Sequence, residues 1–263
     1  MEIKLENIRI NDWEFSTVLS SKDIIGITGP EYEELLKILH LESLPEGNIK
    51  INDTEVTSEN NLEFYKTISI VEKEFKKINY LNTVKEHMDY IINYYHLQIK
   101  NIEKKEKDSL RIVGLDESIL DRNITTLSRS EKKKVEISIG LLSNPEIIII
   151  DDPFVFLDNK SRKRIIMVLK KLKEQFNKLI IIGTQDAEVL YQYTDKMLFV
   201  KNKRIFLEAE TETGYERVDY LKRNGFAVPE RVLFTYKAIK KKKVKIEYHK
   251  DIRDIIKDVY KHV

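Results

Sequence analysis

Ile147-Ile148-Ile149-Ile150-Asp151-Asp152-Pro153 is the stretch that decides the fold. A strand with one wet face alternates apolar and polar residues. Four isoleucines in a row leave no wet face, so this strand is covered on both sides, as in a parallel sheet sandwiched by helices. Leu179-Ile180-Ile181-Ile182 is a second run of this kind, and Ile24-Ile25-Gly26-Ile27 is a third. Helical periodicity fills the gaps: residues 132–142, ending near Ser143-Asn144-Pro145, and residues 161–176. Alternating buried strands and helices predict an α/β fold built on a parallel sheet.

Working outward, residues 2–27 read as short strands, because Ile3 and Leu5, Ile8 and Ile10, then Phe15 alternate with polar neighbours. Residues 47–53 read as a turn and a strand, and residues 68–71 as another strand. Residues 83–115 read as two helices, with Thr83 capping the first and residues 103–113 carrying the second. Residues 198–200 and 205–207 flank Lys203 as a hairpin. From about Tyr215 the pattern becomes a separate C-terminal segment, with Pro229 opening one helix and Asp251 another.

Composition narrows the function classes. Charged residues make up 34% of the 263, yet the net charge is only +2. Lysine and glutamate are therefore interspersed, which reads as a solvated surface and argues against nucleic-acid binding. The run Lys240-Lys241-Lys242-Lys243 is the one dense basic cluster; it is either a solvated helix end or a contact for a membrane surface or acidic partner. The absence of cysteine removes disulfides, thiol catalysis and cysteine metal sites. Met1-Glu2-Ile3-Lys4 does not read as a signal peptide, and no apolar run approaches the roughly 18 residues of a membrane span. The expectation is a cytoplasmic protein able to dock on a membrane partner.

Gly26-Ile27-Thr28-Gly29-Pro30-Glu31-Tyr32-Glu33-Glu34-Leu35 has the frame of a phosphate-binding loop without its chemistry. A working loop runs G-x-x-x-x-G-K-[ST], its N–H groups and lysine cradling phosphates. Here Gly26 and Gly29 are kept, but Glu31 stands in the second glycine place and Tyr32 in the lysine place. Glu33 and Glu34 stand in the Ser/Thr places. Two unit charges 4 Å apart repel by about 4 kcal/mol at an effective dielectric of about 20, so three carboxylates oppose a triphosphate. The plainer reading is a helix over residues 30–41 with Pro30 at its first position. The glutamates would then satisfy its free N–H groups and dipole, filling the anion site themselves.

The remaining motifs resemble the ATP-binding-cassette (ABC) ATPases. Leu127-Ser128-Arg129-Ser130-Glu131 stands where that family has L-S-G-G-[QE]. The strand ending in Asp151-Asp152-Pro153 resembles Walker B, Leu157-Asp158 the D-loop, and Gly183-Thr184-Gln185-Asp186 the switch, where the family has Thr-His-Asp. Asn82-Thr83-Val84-Lys85-Glu86 resembles the start of the helical subdomain. The resemblance implies a P-loop NTPase-like nucleotide-binding domain over residues 1–208. Its parts are a parallel-sheet core, an antiparallel β subdomain and a helical subdomain near 73–130. The tail, residues 209–263, resembles the C-terminal extension of energy-coupling-factor importer ATPases and implies a possible dimerisation segment.

By this resemblance Asp151 would hold Mg²⁺ through water, Asp152 would polarise the attacking water and Gln185 would meet the γ-phosphate. Asp158, Ser128, Arg129 and Ser130 would face the nucleotide of a partner cassette. Asp152 replaces a glutamate and is one methylene shorter, and Gln185 lacks the histidine's charge. Arg129 blocks close backbone approach yet donates well to phosphate; Ser128 also reads as a plain helix cap. Glu72, Lys73 and Glu74 occupy the neighbourhood of the family's Q-loop glutamine. Trp13 reads either as a base-stacking aromatic or as packing. The expected function is a degenerate ABC subunit of a membrane transporter, peripheral on the inner membrane face. It would pair with another ABC ATPase, as homodimer or heterodimer, under a transmembrane coupling subunit. Mg-ATP would lie at a composite dimer site and none at its own loop. Two alternatives stay open: a scaffold or regulator that binds no nucleotide, and an active ATPase with an atypical loop.

Overall fold

A computed structural model describes residues 1–41, 43–242 and 246–261. The chain opens with β1 (Glu2–Ile10) and β2 (Trp13–Ser20), antiparallel and joined at Asn11-Asp12. Both turn residues have positive φ, 47° and 67°, the left-handed region that Asn and Asp tolerate and that tight hairpins require. Then follow β3 (Ile24–Thr28), α1 (Tyr32–Leu39), β4 (Glu46–Ile51), β5 (Thr54–Glu55), α2 (Asn61–Tyr65) and β6 (Ile68–Val71). Next come α3 (Val84–Tyr94), α4 (Ile102–Val113), α5 (Arg129–Gly140), β7 (Ile147–Asp151), α6 (Asn159–Phe176) and β8 (Leu179–Gly183). The last third holds α7 (Ala187–Tyr193), β9 (Lys196–Val200), β10 (Ile205–Glu210), α8 (Thr211–Glu216), α9 (Val218–Arg223), α10 (Glu230–Lys242) and α11 (Ile252–Lys261).

Two sheets result. The smaller is antiparallel, in the order β2-β1-β4-β5. The larger runs β10-β9-β3-β8-β7-β6, parallel from β9 to β6, with β10 antiparallel on its edge. The isoleucine runs explain why helices cover both faces. Ile147, Ile149 and Ile181 point to α1 and the small sheet, in a core with Leu35, Leu36 and Trp13. Ile148, Ile150 and Ile182 point the other way, to α5, α6 and α7. At about 25 cal/mol per Å² of apolar area removed from water, each buried isoleucine contributes roughly 1.5–3 kcal/mol.

Thr83 caps α3 through a capping box with Glu86, as its sequence position predicts. The predicted hairpin around Lys203 is β9–β10. The helix predicted over 161–176 starts two residues earlier, at Asn159, because Asp158 is its cap. α5 likewise starts at Arg129 rather than 132, since Ser128 caps it. α10 follows Pro229 and α11 follows Asp251. Tyr215, Val218, Leu221, Phe226 and Val232 of the C-terminal segment join the α5–α7 core, with Tyr215 edge-on to Phe199 and Tyr191. Of the lysine run, Lys240 pairs with Asp219 at 3.2 Å and Lys243 lies outside the described residues. No helix among the described residues is long and apolar enough to cross a membrane.

Candidate nucleotide site

β3, β8 and β7 end side by side. The register runs from Ile27 opposite Gly183 to Gly183 opposite Asp151. This brings the Gly29 turn, Thr184-Gln185 and Asp151-Asp152 together at the carboxyl edge of the parallel strands, where α/β sheets bind ligands.

The two loop glycines are fixed by packing. A Cβ on Gly29, whose φ is +127°, would lie 1.9 Å from the Val200 carbonyl oxygen, and one on Gly26 would lie 2.4 Å from Met197 Sδ. The helix expected over 30–41 spans Tyr32–Leu39 instead, leaving Pro30 in the turn before it. The glutamates do not cap it as expected. Glu31 sits at the N-cap with no side-chain hydrogen bond to the helix. The Glu34 N–H goes to the Glu31 main-chain oxygen at 3.1 Å and the Tyr32 N–H to that of Gly29 at 3.3 Å. A glutamate at an N-cap is too long to fold back as Ser or Asp does. Glu34 instead accepts from Trp13 Nε1 at 3.1 Å, and Glu33 is exposed. Trp13 is 1% exposed and edge-on to Phe15, which settles it as packing.

Tyr32 fills the loop's place. It is buried, its ring lies against Gly183, and its hydroxyl donates to Asp151 Oδ1 at 2.9 Å. Burial, together with the negative charges of Asp151 and Asp152, pushes the phenol well above its ordinary range. Burial also pushes the Asp151 carboxyl up, against the pull of the Tyr32 hydroxyl. Asp152, at φ +44°, receives the Lys73 ammonium on Oδ2 at 2.7 Å and the Thr184 hydroxyl on Oδ1. The bond to Asp152 raises the Lys73 pKa. Gln185 Nε2 donates to the Gly29 carbonyl at 2.6 Å, bracing the turn. Lys73 thus enters the site from the segment after β6; Glu72 does so only with its carbonyl, which accepts from Lys133.

Lys133 was not foreseen. It is 1% exposed and donates to the carbonyls of Asp151 at 2.9 Å, Lys73 at 3.3 Å and Glu72. The signal was in the sequence: Lys133 stands four residues before Ile137, on the apolar stripe of α5.

Of the expected partner-facing residues, Arg129 lines a cleft with Lys73 and Lys133, while Ser128 and Asp158 serve as helix caps. Ser128 accepts from the Glu131 N–H at 3.2 Å in a capping box, and Arg122 pairs with Glu131 at 2.7 Å. Ser128 and Arg129 are exposed and Ser130 half-buried; the Arg129 guanidinium lies 5.1 Å from the centre of the Phe156 ring. Asp158 is exposed and caps α6 by accepting from the Ser161 N–H at 2.6 Å, which holds its carboxyl below the usual range.

The fold is that of an ATP-binding cassette. The family profile described as "ABC transporter" matches residues 34–155. An ABC transporter ATP-binding protein of Pyrococcus furiosus is 32% identical over 221 residues, covering 81% of this chain and 79% of that protein. An energy-coupling factor transporter ATP-binding protein of Clostridium tetani is 26% identical over 242 residues, covering 90% and 81%. A dimeric ATP-binding cassette solved with ADP and Pi superposes with a TM-score of 0.68 at 22% identity, covering 80% of this chain and 98% of that one. The chain belongs to the ABC transporter ATP-binding family.

Proposed function

We propose that this chain is an ABC subunit of a membrane transporter, of the energy-coupling-factor kind, whose own nucleotide site is closed by its own side chains. It works as one half of a cassette pair, lends its signature face to the partner's Mg-ATP and passes movement to a transmembrane subunit. The relatives named for transporters and the dimeric cassette support the pairing and the membrane partner. The observation that carries the closed site is Tyr32, buried across the loop with its hydroxyl on Asp151. The residues at this edge do not fit a magnesium triphosphate: the lysine place holds a phenol, and three of the four carboxylate oxygens of Asp151 and Asp152 already have partners. Ser128 and Arg129, exposed at the start of α5, are left to face a partner's phosphates.

The test is a complex purified with its transmembrane subunit and second cassette. ATPase activity survives Asp152→Asn in this chain and falls at least about tenfold with Arg129→Glu, the order of one lost charged contact. Loss of activity with Asp152→Asn contradicts the reading. A chain that co-purifies with no membrane subunit contradicts it too and favours the scaffold.

A further inference from the structure

We propose that the cleft between α3, α4 and the turn Glu117–Asp121 binds a linear alkyl diamine, with one ammonium on Glu106 and the other on Asp121. None of the carboxyl-edge residues lines it, so the site does not depend on how nucleotide binds.

Glu106 faces inward because it shares a stripe of α4 with Ser109, Leu110 and Val113, all buried. Its side chain is wholly buried, yet neither carboxyl oxygen has a hydrogen-bond donor among the described residues. A buried acid without a donor is costly, and a cation brought to it recovers that cost. The resident cation is the Lys85 ammonium, 2.8 Å from Asp89 and 3.8 Å from Glu106. One ammonium thus serves two carboxyls. Burial, with Asp89 and Glu103 adding to it, holds the Glu106 pKa up at about 7 against the pull of Lys85, and the retained proton can turn to Asp89. An ammonium arriving at Glu106 takes the place of that proton.

The cleft holds about 570 Å³, the size of a small-molecule site. Most of its other charges are already paired. Lys107 lies 2.7 Å from Glu103 and 3.9 Å from Glu117, and Arg111 lies 2.5 Å from Glu117. Asp116 accepts from the Ser118 N–H at 2.9 Å. Asp121 is different: it is exposed at the rim, its side chain makes no hydrogen bond or ion pair among the described residues, and it acts on Lys85 only through its charge. Leu115 and Leu120 add apolar wall against which methylenes can lie. A metal ion fits less well, because no three carboxylate or imidazole side chains among the described residues converge as a ligand set. An alkyl ammonium needs one carboxylate at each end of its chain.

The probe is cadaverine, 1,5-diaminopentane, titrated into the full chain at low salt by calorimetry. The native chain binds it with a Kd below about 1 mM. The diamine enters as a dication and Glu106 gives its proton to the buffer. Binding therefore releases close to one proton at pH 6 and about a tenth of one at pH 8, read from the dependence of the heat on buffer ionisation. Glu106→Gln has the shape of the protonated acid, and a melting temperature near that of the native chain at pH 6 shows that it is folded. It loses at least about tenfold in affinity and all of the proton release. Asp121→Asn loses affinity and keeps the release. Pentylamine, with one ammonium, binds at least about tenfold more weakly than cadaverine. No saturable cadaverine binding below about 1 mM overturns the proposal. So does binding that a folded Glu106→Gln or Asp121→Asn chain leaves unchanged, or that releases no proton at pH 6, since the diamine then lies on other surface acids.

Discussion

Tyr32 is held at the carboxyl edge by packing and by one hydrogen bond. It fills the space over Gly183 and gives Asp151 a hydrogen-bond partner. Its ring alone cannot do the second. Tyr32→Phe keeps the packing and leaves a half-buried carboxylate without its donor, so it costs about 1–3 kcal/mol in urea unfolding. A cost near zero would mean that water replaces the hydroxyl and that the contact is incidental. The sequence showed that the loop lysine was missing and placed a phenol there. It did not show that the phenol points inward, because the motif frame sets the position of Tyr32 and leaves its rotamer to Gly183, 151 positions downstream in the chain and adjacent only through the register of β3 and β8.

At the scale of elements, α5 joins three tasks. Its cap is Ser128, its inner face carries Lys133, and it packs on β6 and α4. Ser128→Ala removes the cap and costs about 1 kcal/mol by thermal or urea unfolding. Helices α3 and α4 hold a second buried ionisable group. The Glu106 side chain is wholly buried, with the Lys85 ammonium 3.8 Å away and Asp89 and Glu103 adding negative charge, and burial pushes its pKa from 4.5 up to about 7. A raised carboxyl is protonated in the folded chain and ionised in the unfolded one. The stability this lends is complete below about pH 4.5 and is lost as pH rises through about 7. Glu106→Gln keeps the neutral form at every pH. Its melting temperature therefore falls less than that of the native chain as pH rises from about 4.5 through about 7, and the gap between the two stays constant above that. Parallel curves would show that Glu106 ionises freely in the fold. The helices themselves were legible from caps and periodicity. Their bounds were not always so: α1 starts two residues late because a glutamate holds its N-cap, and a 3.6-residue period does not register that.

For the whole molecule, the apolar runs did most of the work. Ile147–Ile150 could be placed in a two-sided parallel sheet before any neighbour was known, and the structure divides those isoleucines between two cores. Ile150→Ala, buried between β7 and the helices, costs about 2–5 kcal/mol by denaturant unfolding. What the sequence concealed is the cross-chain wiring of the carboxyl edge. Lys73 to Asp152, Lys133 to Asp151 and Gln185 to Gly29 join segments 79, 18 and 156 positions apart, and none belongs to a local pattern. These contacts turn a recognisable cassette edge into a network whose charges answer one another.

Calorimetric titration of Mg-ATP into the isolated native chain separates a closed nucleotide edge from an open one. A closed edge gives no saturable heat up to about 1 mM nucleotide, the weak limit at which binding energy is about 4 kcal/mol. Micromolar binding, with turnover that Asp152→Asn abolishes, would contradict it.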